Sequence, residues 1–365
     1  MVTIADVARH AGVSPKTVSN VLNGYRYLRP ETKERVERAI RELGYTVNLA
    51  ARGLRRGRTG MVTLAVPDLR DPYLAELSGE VIHAAEREGG RVLVTQTDGQ
   101  REREIDVLHG PNRHFTDGTI LSPQALGPED VEQYEVDFPL VLLGERVDPP
   151  GLDRVTLPNV AAARALTAYV LGLGCRRVVL LGCAPGTDHG SAPLREQGFR
   201  EAHAELGVEV DDRLLLSEST WRLPQGAQRM NAFIDSGTPF DAVVAMNDAL
   251  AVGALHSFRA HDIPVPDAVK VVGIDNIEDA SFTSPTLTSL SVDHREFARE
   301  AIRLLLTRID EHHRDPDLPR RPKELIQPAF RIEVRQSTGG IPVDDGVLGG
   351  PETDSNGIDG QMTSS

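Results

Sequence analysis

Short apolar runs alternate with longer amphipathic stretches from Met61 onward. The first run, Met61–Val66, is continuously apolar, and the stretch that follows repeats apolar residues at helical spacing. Apolar strands between amphipathic helices predict parallel sheets covered by helices on both faces. Further strands are predicted over 91–96, 118–121, 139–143, 177–181, 242–245 and 269–273, and helices over 160–173, 225–234, 249–260 and 295–309.

The alternating region spans roughly 275 residues, which is too long for one sheet and its single core. We therefore predict an α/β region over 61–338 made of two doubly wound, parallel-sheet subdomains. The second subdomain is expected to begin near residue 159, and the chain to return to the first near residue 290. Acidic, glycine-rich residues 339–365, with many Gly and no Lys or Arg after Gly340, predict a disordered tail.

The first 47 residues follow a different, purely helical pattern. Thr3 and Asp6 have the spacing of a capping pair, and Gly12 can end the helix that they begin. Ser14 and Pro15 then suit the start of a second helix. Its apolar positions are Val18, Val21 and Leu22, which leaves Lys16, Thr17, Ser19 and Asn20 on the outside. A third helix is predicted over 30–43.

Two short helices joined by a glycine turn form a helix-turn-helix, whose second helix can enter the major groove of DNA. The same geometry also occurs in small helical bundles that bind no DNA. Charge favours the first alternative. Residues 1–60 hold twelve Lys or Arg and five Asp or Glu, a net of +7, which leaves −21 for the remainder of a chain whose net charge is −14. A basic head on an acidic body indicates a polyanion at one end only.

Two motifs in the first 54 residues read T-I-x-D-V-A-x-x-A-G-V-S-x-x-T-V-S-x-V-L-N and G-Y-x-x-N-x-x-A-R-x-L. They are similar to those of LacI/GalR-type transcriptional repressors, and the resemblance continues to about Gln336. It implies a DNA-binding head over 1–47, a hinge helix and linker over 48–60, and the fold of periplasmic sugar-binding proteins for the body. It also implies a homodimer that binds a palindromic double-stranded DNA operator.

The resemblance implies roles for individual residues of the head and hinge. Asn48–Leu54 would form a hinge helix in the minor groove, with Leu54 as an apolar wedge beside Ala51 and with Asn48 at its start. Gly53 lies inside this segment, where it costs about 1 kcal/mol relative to Ala. The DNA contacts implied in the head are Thr3, Pro15, Lys16, Thr17, Ser19 and Asn20.

Polar residues follow the predicted strands, at the edge where ligands of doubly wound sheets bind. They are Asp68, Asp98, Ser122, Glu145, Asn247-Asp248 and Asp275-Asn276, and each also suits a helix cap or a turn, the role we favour for Asp248. By resemblance, the residues that contact a small effector are Arg195, Trp221, Asn247 and Asp275, to which we add Tyr73 and Ser122. An Arg and an Asp can chelate the hydroxyls of a sugar, and an indole can stack on its ring. Trp221 is equally suited to anchor the core.

Other function classes have weaker support in the sequence. The P-loop, nucleophile-elbow and H-E-x-x-H motifs are absent, and neither Asp188–Ser191 nor His312-His313 forms a catalytic or metal motif. We therefore expect no enzyme activity, no cofactor and no metal. Cys175 and Cys183 predict reduced thiols, and the lack of a signal peptide or apolar span predicts a cytoplasmic protein. Three hypotheses remain: a sugar-responsive repressor, the same scaffold sensing a nucleobase or other ligand, and a cleft enzyme fused to a DNA-binding head.

Overall fold

The structure, a computed structural model, describes residues 2–22, 25, 27–45, 58–314 and 321–340. The chain divides into two compact units, Met1–Thr59 and Gly60–Ser365. The predicted hinge helix with Asn48, Ala51, Gly53 and Leu54, and the predicted tail after residue 340, lie outside the described residues.

Three helices form the described part of the first unit: α1 (Ile4–Ala11), α2 (Pro15–Leu22) and α3 (Pro30–Leu43). Helices α1 and α3 each end at a glycine in the left-handed conformation, Gly12 (φ 63°) and Gly44 (φ 60°). The three helices pack around a small apolar core, whose buried residues are Val7, Ala8, Ala11, Val18, Val36 and Ala39. The predicted helix-turn-helix is confirmed, since the apolar stripes of all three helices meet in this core.

Two sheets form the second unit, each with six strands among the described residues. In chain order the strands are β1 (Met61–Val66), β2 (Arg91–Gln96), β3 (Thr119–Leu121), β4 (Leu140–Leu143), β5 (Asp153–Val155), β6 (Val178–Cys183), β7 (Leu215–Ser217), β8 (Ala242–Ala245), β9 (Lys270–Ile274), β10 (Thr288–Val292), β11 (Leu325–Ile326) and β12 (Phe330–Glu333). The first sheet has the order β11-β5-β4-β3-β1-β2 and is entirely parallel. The second has the order β12-β10-β9-β8-β6-β7 and is parallel except for β12, which runs antiparallel to β10.

Helices connect these strands and cover the sheets, as the amphipathic stretches predicted. They are α4 (Pro72–Arg87), α5 (Arg101–His109), α6 (Asn159–Gly172), α7 (Ser191–Glu205), α8 (Leu223–Asp235), α9 (Asp248–Ala260) and α10 (His294–His312). Central strands such as β8 are buried along their whole length, whereas the edge strand β2 has only exposed and half-buried residues. The α/β fold class with a helix-turn-helix head is confirmed.

The chain passes between the two sheets three times. It leaves the first sheet between β5 and α6, returns after β10 through α10, and crosses again between β11 and β12. The sequence did not predict the third crossing, because β11 and β12 are only two and four residues long and too short to show a strand pattern. One continuous apolar core includes residues of both sheets, so the two subdomains are packed together where the chain crosses. Within the ranges that the structure describes, no helix has both the length and the apolar character of a membrane span.

Candidate nucleic-acid interface and ligand cleft

The N-terminal ends of α1 and α2 are capped by local hydrogen bonds. The Asp6 carboxylate accepts from the Thr3 backbone N–H (2.9 Å) and hydroxyl (2.6 Å), and the Asp6 N–H donates to Thr3 Oγ1 (3.3 Å). These bonds hold the pKa of Asp6 below its usual range. At the start of α2, the Thr17 N–H donates to Ser14 Oγ (3.1 Å), which confirms Ser14 as the cap.

The outer face of α2 holds the side chains that were expected to meet DNA. Pro15 and Lys16 are exposed, whereas Thr17, Ser19 and Asn20 are half-buried, and the Thr17 hydroxyl is hydrogen-bonded to Ser14 Oγ (2.9 Å). Thr3 is exposed, but its hydroxyl is engaged in the cap of α1. The head therefore presents its first α2 turn to solvent, as a recognition helix requires.

The second unit has a cavity of about 710 Å³ at the carboxyl ends of the strands of both sheets. It is lined by residues that lie one or two positions after strands of the first sheet, such as Asp68 and Glu145, and after strands of the second, such as Glu218. All six residues expected to contact an effector line this one cavity: Tyr73, Ser122, Arg195, Trp221, Asn247 and Asp275. Their role in binding remains a prediction.

Arg195 is buried in the cleft and held by residues distant in sequence. Its Nε donates to Asn159 Oδ1 (2.7 Å), and its Nη1 donates to the Met246 carbonyl. Its guanidinium lies 5.3 Å from the centre of the Trp221 ring, within the range of a cation–π interaction. Asn159 was not among the predicted site residues.

Trp221 serves the cavity and the core together, so the two interpretations of this residue do not exclude each other. Its indole N–H donates to the carbonyls of Gly182 (3.0 Å) and Glu218 (3.2 Å), and its ring packs against the cores of both sheets. The Asn247 amide donates to the Trp221 carbonyl (3.1 Å) and accepts from the Leu250 N–H (2.9 Å). Asn247 therefore lines the cavity while its side chain fixes Trp221 and caps α9.

The favoured role of Asp248 as the cap of α9 was wrong, because Asn247 occupies that position. Asp248 points instead into the second subdomain, where it accepts from Ser289 Oγ (2.6 Å) and the Ile277 N–H (3.0 Å). It is fully buried, and burial raises its pKa to about 7. From the sequence alone, either of two adjacent polar residues at the start of a helix can be its cap. Here the loop that packs above α9 binds the Asp248 side chain, so Asn247 is the cap.

Asp275 has a strained backbone, with φ at 113°, and its carboxylate has no hydrogen-bond or ion-pair partner among the described residues. Burial raises the pKa of Asp275 well above its usual range, and the charge of Arg195 opposes part of that rise. Across the cavity, burial and then the charge of Asp275 raise the pKa of the Tyr73 phenol. The cleft thus holds a carboxyl group that a ligand can engage.

Three contacts link the two walls of the cleft. Arg222 lies 3.6 Å from Asp68, the Glu278 N–H donates to Glu76 (2.8 Å), and the Ser191 hydroxyl donates to Glu145. In each, an acidic side chain of the first subdomain meets a donor of the second. These contacts depend on the closeness of the subdomains, which no local sequence pattern records.

The part of the chain that the structure describes holds no cluster of three or more His, Cys, Asp or Glu side chains arranged for a metal ion. Cys175 and Cys183 are buried free thiols, and burial raises the pKa of Cys183 to about 12. Such thiols are protonated at neutral pH and inert.

Each of the two units contains a segment that matches a known protein family. Residues 3–48 match the family of bacterial regulatory proteins, lacI family, and residues 167–338 match the periplasmic binding protein-like domain. The ribose operon repressor of Halalkalibacterium halodurans is 29% identical over 344 residues, covering 93% of this chain and 98% of the relative. The curated relatives are described as transcriptional regulators and repressors.

Two solved structures are similar along most of their length. A chain from Sanguibacter keddieii DSM 10542, described as a transcriptional regulator of LacI family, is 41% identical and has a TM-score of 0.71. The alignment covers 77% of this chain and 99% of that chain. The protein chain in the complex of the transcriptional regulator CelR with cellobiose is 28% identical and has a TM-score of 0.66. The alignment covers 92% of this chain and 100% of that chain. The chain belongs to the lacI family of bacterial regulatory proteins and is a DNA-binding transcriptional repressor of that family.

Proposed function

We propose that this repressor controls a carbohydrate-utilisation operon and that a small sugar-like effector, bound in the cleft, shifts its affinity for operator DNA. The observation that carries the proposal is the single cavity that contains Arg195, Asp275 and Trp221. Relatives support it, since one is a ribose operon repressor and a solved neighbour holds cellobiose.

The chemistry of the cavity suits a neutral, hydroxylated ring. The Asp275 carboxyl can engage hydroxyl groups, because no described residue satisfies it. Arg195 supplies donors on the other side, and the exposed part of the Trp221 indole supplies a flat apolar surface for the C–H face of a sugar. Tyr73, which also lines the cavity, is a second aromatic surface.

At the DNA end, the proposal assigns Lys16 and Pro15 to base edges, and Thr3, Thr17, Ser19 and Asn20 to bases or phosphates. A two-fold pair of heads would then bind a palindromic operator, which requires a homodimer. Sedimentation velocity of the full chain tests the dimer, and a monomer at micromolar concentration contradicts it.

Thermal unfolding of the full chain with a ligand panel tests the effector class. The panel contains D-ribose, cellobiose and other free sugars, with purine bases and nucleosides as the competing class. A specific ligand at 100 times its dissociation constant adds about 2.7 kcal/mol to the stability of the native state. Stabilisation by a sugar supports the proposal, whereas stabilisation by purines alone assigns the cleft to a nucleobase.

A second measurement links the cleft to DNA. Operator sequences are selected from random double-stranded DNA, and affinity is measured by fluorescence anisotropy with and without the stabilising sugar. We expect the sugar to change operator affinity and to be recovered unchanged after prolonged incubation. Chemical conversion of the sugar would favour the hypothesis of an enzyme fused to a DNA-binding head.

A further inference from the structure

His294 is a cleft residue at the point where the chain passes from the second sheet to the first subdomain. It follows the end of β10 by two residues and is the first residue of α10. Asp293 caps this helix by accepting from the N–H groups of Arg295 (2.9 Å) and Glu296 (3.2 Å). The cap fixes the direction in which the His294 side chain leaves the helix, and its ring lines the cavity.

The imidazole contacts both subdomains. Its ring packs edge-to-face on Tyr73, with 5.2 Å between ring centres, and its Nδ1 lies 3.7 Å from a carboxylate oxygen of Glu76. Burial lowers the pKa of His294. A hydrogen bond to the backbone of Asp275 and the negative charges of Asp293 and Glu80 raise this pKa, but their effect is smaller than that of burial. The ring is therefore neutral at neutral pH, with one nitrogen protonated and the other an acceptor.

The second ring nitrogen, Nε2, is buried and has no hydrogen-bond partner among the described residues. Buried polar atoms in native proteins nearly always have a partner, so each exception calls for an explanation. Of the buried unpartnered side-chain atoms in the described part of the chain, only those of Arg146 and His294 belong to residues that line the cleft. The Arg146 atom can only donate, whereas Nε2 of a neutral histidine can accept.

We propose that His294 determines effector specificity in the cleft, with Nε2 accepting a hydrogen bond from a hydroxyl or N–H group of the effector. The proposal rests on the cleft being the effector site, as argued above. In this assignment the proton of the neutral ring is on Nδ1, the nitrogen that lies 3.7 Å from the Glu76 carboxylate. Because Nε2 is buried, we expect a side chain packed over it to move when the effector arrives. Binding therefore adds a partner for an atom that has none.

Three substitutions separate this role from a purely structural one. The amide of His294→Gln reaches the place of Nε2, that of His294→Asn reaches the place of Nδ1, and His294→Phe keeps only the ring that packs on Tyr73. Titration calorimetry uses D-ribose, cellobiose and each further panel sugar that stabilises the unmodified protein. We expect about tenfold weaker binding for the Asn and Phe variants and less than threefold for Gln.

The opposite pattern, with Asn retaining affinity and Gln losing it, would show that only Nδ1 matters and would overturn the proposal. Equal affinity in all three variants would overturn it as well. Matched deoxy sugars identify the donor group, because removal of the hydroxyl that meets Nε2 should weaken the unmodified protein about tenfold and leave His294→Phe unchanged.

A measurement without ligand separates failure of this proposal from failure of the proposed function. Nitrogen-15 NMR of the full chain with labelled histidine reports which ring nitrogen carries the proton, and His294→Gln assigns the signals. An unprotonated Nε2 is expected, and a protonated Nε2 at neutral pH overturns the inference even if a sugar binds. If no sugar stabilises the protein, the sugar effector fails, and the same NMR measurement still decides the state of His294.

Discussion

The DNA-binding face of the head and the ligand cleft of the body are built in opposite ways. In the head, the hydrogen bonds that shape α1 and α2 join residues three positions apart, such as Thr3 with Asp6, and Lys16 points to solvent. In the cleft, Arg195 is held by Asn159 and Met246, which lie 36 and 51 positions away. A substitution on the head should therefore remove one contact, whereas a substitution in the cleft should also disturb the partners of the residue.

The largest effect is expected at Asp275. Its unpartnered carboxyl group is available to a ligand, so Asp275→Ala should weaken sugar binding about 100-fold by leaving ligand hydroxyls unsatisfied. Operator affinity in the absence of ligand should stay unchanged. Calorimetry and fluorescence anisotropy measure the two quantities. Asp279→Ala, an exposed residue four positions away, is the matched control, and an equal loss of sugar binding there would contradict the assignment.

Asn159 tests whether cleft residues depend on distant partners. Asn159→Ala removes the acceptor of Arg195 Nε and leaves a buried charged donor unsatisfied. The free energy of unfolding should fall by about 1–3 kcal/mol, with sugar binding weakened about tenfold. Asn159→Asp keeps the acceptor for Arg195 but loses the amide donor to the Leu157 carbonyl (3.2 Å), so it should restore sugar binding and only part of the stability. Denaturant unfolding and calorimetry measure these changes, and an Asp variant as impaired as Ala would show that Arg195 is positioned by other contacts.

Asp248 tests the effect of burial on a carboxyl group behind the cleft. Its pKa of about 7 in the folded protein lies above its unfolded value, so its contribution to stability is fully present below about pH 4 and is lost as pH rises through 7. Between pH 5 and pH 7 the unmodified protein should lose about 2 kcal/mol more than Asp248→Asn. The amide can still accept from Ile277 and donate to Ser289. Denaturant unfolding at both pH values measures the free energy of unfolding of each protein. An equal change between pH 5 and pH 7 in the unmodified protein and in Asp248→Asn would refute the prediction.

Lys16 should give the most local effect. Lys16→Ala removes an exposed side chain from the first turn of α2, so it should relax the preference for one operator base about tenfold and leave stability and sugar binding unchanged. Lys33→Ala removes the same charge from α3 and should leave base preference intact. Anisotropy with a set of single-base operator variants distinguishes the two. If Lys33→Ala alone changed base preference, α2 would not be the recognition helix.

The sequence determined the parts of this protein that depend on neighbouring residues. Thr3, Gly12 and Ser14 predicted the ends of the head helices because caps act over one helical turn. Continuous apolar runs predicted β1–β4, β6, β8 and β9 to within two residues, because a strand covered on both faces has no polar side. The buried strand β10 was not predicted, since Thr and Ser interrupt its apolar residues. The same runs placed Ser122 and Asp275 at strand ends, which parallel sheets bring to one edge.

Only the tertiary structure decided how distant side chains are paired. The short strands β5, β7, β11 and β12 are stabilised by their neighbours in the sheets, and two to four residues carry no periodicity of their own. The choice of Asn247 over Asp248 as cap, the bond from Arg195 to Asn159 and the unpartnered Nε2 of His294 depend on which loops pack above each residue. The composition of each segment is local, whereas burial and hydrogen-bond partners are set by segments that meet only after folding.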